Sequence, residues 1–439
     1  MTKRTLLFLV MCCVLSVVAM AQVNCSSSTK LVCQIPFATG LTGATLSDQA
    51  KNTAVAFNSS IATQLTQLPL QSSASGVVFV FNKALGVDEP LENLGPILTE
   101  RAQTLGKNKL FLGFSFQRFT FNSIDGIGLG AVPYVYHTVT SPGPLPFSQY
   151  IQEKGHISFN VNQYVVLATY GLTNKTDISI VLPFERVSIG SGAASGPPGT
   201  QYFVGAPPGY AQLGTGPVRQ RYVAGTASGI GDILFNIKQL FVKGERTNVS
   251  GGFLLRIPSG DALNYLGSGA YGLNPYAVLS YQIKPWIAPH ARIGYQWNTN
   301  TVLIPNGRGG SSRLPGGFQY DLGADAKVVK NVTLAGDFLG NQFLNSPALA
   351  TGTYSPPVGI PGYNLHPISV TGVTTTYTIN DFSIGVKWSP FGGRKSRDGK
   401  SSPWQELLLY GNVLFQMNDT GLRSDPVPLV GISYKFNKL

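Results

Sequence analysis

The chain has few charges, few histidines and, beyond its first residues, no long apolar run. Only 12% of its 439 residues are charged. Every apolar stretch after the leader is broken within a few residues by Gly, Asn, Lys or Asp, so none reaches the roughly 20 residues that a membrane-spanning helix needs. A helical membrane protein is thereby excluded. The histidines are His137, His156, His290 and His366; no two are spaced as a metal pair, and none sits in a local signature of nucleophilic catalysis. No metal, cofactor or catalytic residues are expected, and an enzyme is disfavoured. The net charge of +12 is dispersed rather than clustered, which argues against nucleic acid and toward phosphate-bearing lipid headgroups.

What is present is glycine, 51 residues of it, with a mean hydropathy of +0.10, an unusual combination at such low charge for a soluble protein. A transmembrane β-barrel reconciles these facts. Its strands alternate lipid-facing and lumen-facing residues, so it is greasy on average without any long greasy run.

Lys3 and Arg4, the apolar run from Leu6 to Val18, and Ala19-Met20-Ala21 form the layout of a secretory signal peptide over residues 1–21. Export through the inner membrane with cleavage after Ala21 is expected. Cys25 near that point raises lipid attachment as a competing reading, but Gln22-Val23-Asn24 lack the residues such signals use. Cys12 and Cys13 leave with the leader, so Cys25 and Cys33 remain as a small local disulfide or, alternatively, as two free thiols.

Alternation picks out twelve strands, at 109–121, 156–170, 176–187, 231–242, 247–257, 272–282, 287–297, 318–329, 332–340, 376–389, 405–417 and 428–436. Most exceed the 9–11 or so residues a tilted strand needs to cross a bilayer. In the second, Ile157, Phe159, Val161, Val165 and Leu167 oppose His156, Ser158, Asn160 and Asn162. In the tenth, Phe382, Ile384, Val386 and Trp388 oppose Asp381, Ser383 and Lys387. In the last, Pro428, Val430, Ile432, Tyr434 and Phe436 share a face, and Tyr434 and Phe436 supply the aromatic end that the barrel-assembly machinery reads. Three further residues, Asn437-Lys438-Leu439, follow that end. Short turns such as Lys330-Asn331 alternate with long Gly/Pro-rich loops in step with the strand count, except at 390–404, which is long where a short turn is due.

Residues 22–108 precede the first clear strand. Leu46, Ala50, Ala54, Phe57, Ile61, Leu65 and Leu68 recur at helical spacing, and Val77 to Phe81 form a short apolar run. This region is expected to be a plug or periplasmic cap containing a short helix, or else two further strands of a fourteen-stranded wall. The barrel then occupies 109–439.

Carried through the strands, the alternation turns Asp177, Glu185, Asp232, Lys238, Arg256, His290, Arg292, Asp321, Asp325, Lys327, Asp337, Asp381, Lys387 and Glu406 inward as pore-lining residues. A basic side chain facing the bilayer midplane would cost about 2–4 kcal/mol, which is why their shared parity supports a barrel. Such mixed signs suit either an aqueous passage or an interior cross-linked by ion pairs. Tyr170, Trp286, Trp297, Trp388, Trp404 and Tyr434 near strand ends read as aromatic girdles. Tyr202, Tyr210 and Tyr222, in a long loop, are the candidates for an aromatic cage. Gly267-Ser268-Gly269-Ala270-Tyr271-Gly272 matches GxGxxG, but Pro275 follows where a helix should run, so no dinucleotide site is expected.

Several stretches resemble a known family. Tyr170-Gly171-Leu172-Thr173-Asn174-Lys175-Thr176-Asp177 with Leu182-Pro183, Gly229-Ile230-Gly231-Asp232, and Arg256-Ile257-Pro258-Ser259-Gly260-Asp261 with Leu266-Gly267-Ser268-Gly269 are similar, in order, to the outer-membrane family labelled MetA-pathway of phenol degradation. The likeness covers roughly 105–436, and is looser to long-chain fatty acid porins. It implies a barrel in a bacterial outer membrane that passes small solutes, aromatic or otherwise hydrophobic compounds among them. Lipid and lipopolysaccharide, the assembly machinery and a small-molecule solute are the partners expected. A closed structural or adhesive barrel and an outer-membrane hydrolase are the alternatives. Within the motif, Pro258 ends a strand because it has no N–H, Gly260 permits a bend, Asp261 can accept from nearby amides, and Arg256 faces the lumen within reach of Asp232.

Overall fold

Twelve antiparallel strands close on themselves because the last pairs with the first. They are β1 (Leu110–Ile124), β2 (Phe147–Gly171), β3 (Thr176–Ser195), β4 (Ile233–Lys243), β5 (Thr247–Ile257), β6 (Gly272–Tyr281), β7 (Ile287–Asn298), β8 (Gly317–Val329), β9 (Val332–Thr353), β10 (Ile368–Trp388), β11 (Leu407–Gln416) and β12 (Val427–Phe436). Each pairs with its neighbour in sequence, and the register from Leu429 opposite Gln117 to Phe436 opposite Leu110 seals the cylinder. Closure leaves no wall strand with an unpaired edge, the condition for a sheet to stand in hydrocarbon. The computed structural model describes residues 29–34, 48–71, 79–82, 87–90, 93–140, 147–195, 203–206, 209–212, 219–305, 310–353, 368–392 and 403–436. Residues 1–28, Cys25 among them, and the last three residues lie outside these.

One end carries the short turns and the start of β1 and end of β12; the other carries the long connections. At the long-loop end several strands exceed their expected lengths, β2 reaching back to Phe147 and β9 on to Thr353. Two further strands, Val132–Thr140 and Arg219–Ile230, pair with these extensions of β2 and β3. The short apolar run near residue 80 does not join the wall. Phe79–Asn82 pairs with Val87–Pro90 in a separate hairpin, so the fourteen-strand option is excluded. Glu406 falls just before β11 in a 3-10 turn (Pro403–Glu406) rather than in a wall strand.

The wall changes polarity partway up. In the half near the short turns, the outward residues are apolar, as with Leu112, Phe114, Val166, Ile178, Phe382, Ile384 and Val386. Higher on β1–β3 the arrangement reverses: Phe119, Phe121, Ile157, Phe159, Val161, Val187 and Ile189 point inward and are buried, while Arg118, Asn160 and Arg186 point outward. The expectation that the apolar face of the second strand is its lipid face is therefore corrected. Where the outer surface is polar, the apolar face packs on an internal core instead.

That core is supplied by the chain's own N-terminal part. Helix α1 (Asp48–Leu65) sits inside the long-loop end, with Phe57, Ile61 and Ala62 packed among the inward residues of β1–β3 and beside Tyr265, Leu303, Leu349 and Leu422. Its polar side bonds the surrounding wall and loops: Gln64 Nε2 donates to Tyr377 Oη at 3.1 Å and Ser59 Oγ to the Leu303 carbonyl at 3.2 Å. The short turn Leu31–Cys33 docks at the same end, where Lys30 pairs with Asp261 at 2.7 Å. Cys33 is buried and disulfide-bonded.

Candidate functional site: the occupied lumen

From α1 the chain descends through the barrel as residues 66–71, and residues 93–108 then cross its lower half before β1 begins. A segment without regular hydrogen-bonded structure must satisfy its amides elsewhere, and here the wall side chains do so. The amide of Leu94 donates to Thr333 Oγ1 at 2.8 Å, Leu98 to Asp337 at 3.3 Å, Ala102 to Ser280 Oγ at 2.9 Å and Leu105 to Asp177 at 3.0 Å. Lys387 donates to the carbonyls of Leu94 and Pro96. The segment is thus strapped in turn to β9, β6 and β3.

Ion pairs reinforce the strap. Arg101 bonds Asp325 and Asn93, and Glu100 accepts from Lys238 Nζ at 2.7 Å. His290 lies 3.5 Å from Asp325 and 3.6 Å from Asp337, and contacts Thr99 Oγ1. This places a hydroxyl beside a histidine that sequence spacing did not connect to one. The Thr99 hydroxyl donates to Asp337 at 2.6 Å, so its oxygen accepts from the imidazole N–H rather than yielding a proton to it. Thr99 and His290 also line none of the cavities described below.

The remaining expected residues divide into neighbouring pairs. Arg292 meets Asp321 at 3.0 Å and stacks over Tyr276, Arg423 meets Asp381 at 2.5 Å, and Lys435 meets Glu406 at 3.2 Å. Asp232 lies 3.7 Å from Arg256 and accepts from Ser268 Oγ at 2.5 Å, in close quarters where a Cβ on Gly267 would overlap the carboxylate. Glu185 accepts from Gln163 at 2.8 Å. Lys327 is half-buried near the short-turn end. Glu100, Arg101, Asn93, Gln163, Arg423 and Lys435 were not anticipated. The first three lie on the strap, where no alternation exists to orient them.

Between residues 66–71 and the wall lies a cavity of about 180 Å³, bounded by Leu68, Leu70, Leu234, Tyr276, Arg256 and Arg292. Two smaller ones, about 60 and 50 Å³, adjoin it, and Leu68 borders all three. Of the expected lumen charges, Arg256, Arg292 and Asp321 border the first of these, Arg256 again with Glu185 and Asp232 the second, and Asp381 the third. Asp177, Lys238, His290, Asp325, Lys327, Asp337, Lys387 and Glu406 border none of the three.

At the loops, Asp261 caps the turn Ala262–Asn264 by accepting from Leu263 N at 3.2 Å. Burial pulls its pKa upward, but the Lys30 ammonium, Asn264 and that amide together bring it below the usual carboxylate value. Asp125 accepts from the amides of Leu349 and Gly421 at 2.7 and 2.9 Å, yet burial holds its pKa above the usual value. Trp286, Trp388 and Trp404 are exposed near the short-turn end and Trp297 near the other, at two levels. The side chains of Tyr202, Tyr210 and Tyr222 lie outside the described residues.

Residues 145–303 match the family described as "Putative MetA-pathway of phenol degradation". No curated protein matches the chain by sequence. Among solved structures, an outer-membrane channel from Pseudomonas putida F1 is 12% identical over 76% of this chain and 98% of its own, with a TM-score of 0.43. The NanC porin is 11% identical over 65% and 98%, with a TM-score of 0.35. A FadL homologue from Pseudomonas aeruginosa is 9% identical over 75% and 89%, with a TM-score of 0.28.

Proposed function

We propose that the protein is a bacterial outer-membrane channel through which small, partly apolar solutes pass passively, with its short turns in the periplasm and its long loops outside. The observation that carries this reading is the chain of cavities meeting at Leu68 between the inner strand and the wall. Its main chamber of about 180 Å³ compares with an engineered cavity of about 150 Å³ that accepts benzene. Leucines and Tyr276 offer apolar contact, while Arg256 and Arg292 offer donors to a carboxylate or hydroxyl. Single-ring aromatics bearing one polar group fit that mixture.

Movement from one cavity to the next requires residues 66–71 to shift, because their side chains separate the voids. The expected partners are such a solute, the surrounding lipid and lipopolysaccharide, and the assembly machinery acting on Tyr434 and Phe436. The non-enzymatic reading rests on the direction of the Thr99 hydrogen bond and on the enclosure of His290.

The test is uptake into proteoliposomes of an aromatic acid, an alkane and a sugar, together with planar-bilayer conductance. Faster entry of the aromatic acid than of the sugar supports the channel. No conductance and no uptake by folded protein would leave the second reading, a closed barrel with binding loops. The buried Arg101–Asp325 and Lys238–Glu100 pairs, which hold the strap across the lumen, favour that reading.

A further inference from the structure

Three successive rows of side chains cross β1, β2 and β3 at one height. In the first, Phe116, Tyr164 and Phe184 lie opposite one another and face outward, with the rings of Phe116 and Tyr164 5.0 Å apart. In the second, Gln117, Gln163 and Glu185 face inward and are hydrogen-bonded in sequence. In the third, Arg118, Asn162 and Arg186 are again directly opposite and outward, the two arginines exposed. Above this row the inward face is apolar and the outward face polar, so it stands at the edge of the lipid-facing band.

Neither Arg118 nor Arg186 has a hydrogen-bond or ion-pair partner among the described residues. Two adjacent inter-strand steps of about 4.8 Å set their backbones about 10 Å apart, with the amide of Asn162 between them. Guanidinium groups so spaced can converge on one phosphate, for which Arg forms paired hydrogen bonds. The aromatic row just beneath belongs at the level where headgroups meet acyl chains.

We infer that Arg118, Asn162 and Arg186 form a binding site for a phosphate of lipid A in the outer leaflet. The inference rests on the proposed outer-membrane location and orientation. It adds a defined lipid site on the outside of β1–β3, where the polarity change fixes the height of the barrel in the bilayer.

The experiment is native mass spectrometry of protein extracted from outer membranes in mild detergent, followed by titration with lipid A, dephosphorylated lipid A and inorganic phosphate. The wild type should retain one lipid A and bind the phosphorylated form at least tenfold more tightly than the dephosphorylated one. The R118A/R186A double variant should lose that preference, while K175A, at the exposed turn after β2, should keep it. Heat-dependent gel mobility confirms that each variant is folded. Undiminished retention by R118A/R186A, equal binding of both lipid forms, or displacement by millimolar inorganic phosphate would overturn the site. Absence of the protein from the outer-membrane fraction would instead defeat the location, so the two failures are distinguishable.

Discussion

Arg101 and Asp325 form an ion pair in which both side chains are almost wholly enclosed, 1% and 0% exposed, joining the strap inside the barrel to β8. Two charges withdrawn from water are held only while both are present, since either alone is an uncompensated buried ion.

Arg101→Gln therefore leaves Asp325 without its cation and is expected to destabilise the folded barrel by about 3–5 kcal/mol. The strap should loosen, giving larger and noisier conductance in planar bilayers along with a lower thermal midpoint. Unchanged conductance and an unchanged midpoint would show that the strap is held by its amide bonds alone.

Leu68 is the one side chain bordering all three cavities. Leu68→Trp should fill the junction and slow proteoliposome uptake of a single-ring aromatic acid several-fold without altering heat-dependent gel mobility. Unaltered uptake would place the solute route elsewhere.

The polarity change in β2 predicts opposite tolerance on one outward face. Val166→Arg, in the lipid band, is expected to cost about 2–4 kcal/mol, whereas Asn160→Arg, above it, should be close to neutral. Phe159→Ala, next to Asn160 but on the inward face, empties part of the internal core and should cost about 3–5 kcal/mol. Reversible urea unfolding in lipid vesicles measures all three, and equal costs for the two arginines would contradict the boundary at Gln163.

Asp125 ties the top of β9 and the loop at Gly421 to the turn after β1, with its pKa raised chiefly by burial. A carboxyl whose folded value is raised stabilises fully below the unfolded value, near 3.9, and that contribution fades as pH climbs through the folded value. The gain in thermal midpoint on making Asp125→Asn should thus grow as pH rises above about 4. A gain independent of pH would mean that Asp125 is not titrating there.

Much of this was legible because strand alternation is local. Asp381, Ser383 and Lys387 against Phe382, Ile384 and Val386 fixes both strand and facing without any knowledge of neighbours, and the observed β10 keeps that assignment. The same logic misassigned the apolar face of β2, since alternation reports that two faces differ but not which solvent each meets. Phe159 and Phe382 look alike in sequence; one packs against Phe121 and Tyr265, the other faces outward from the barrel.

The amino-acid order by itself pointed to a closed wall of twelve to fourteen strands with most charges on one face, because a period of two is imposed by backbone geometry within each strand. Only the tertiary structure decided that the lumen is occupied. Glu100 and Arg101 belong to a segment with no repeating pattern, and their partners Lys238 and Asp325 lie more than a hundred residues away. Such pairing arises from where the closed barrel brings side chains together, which no local spacing encodes.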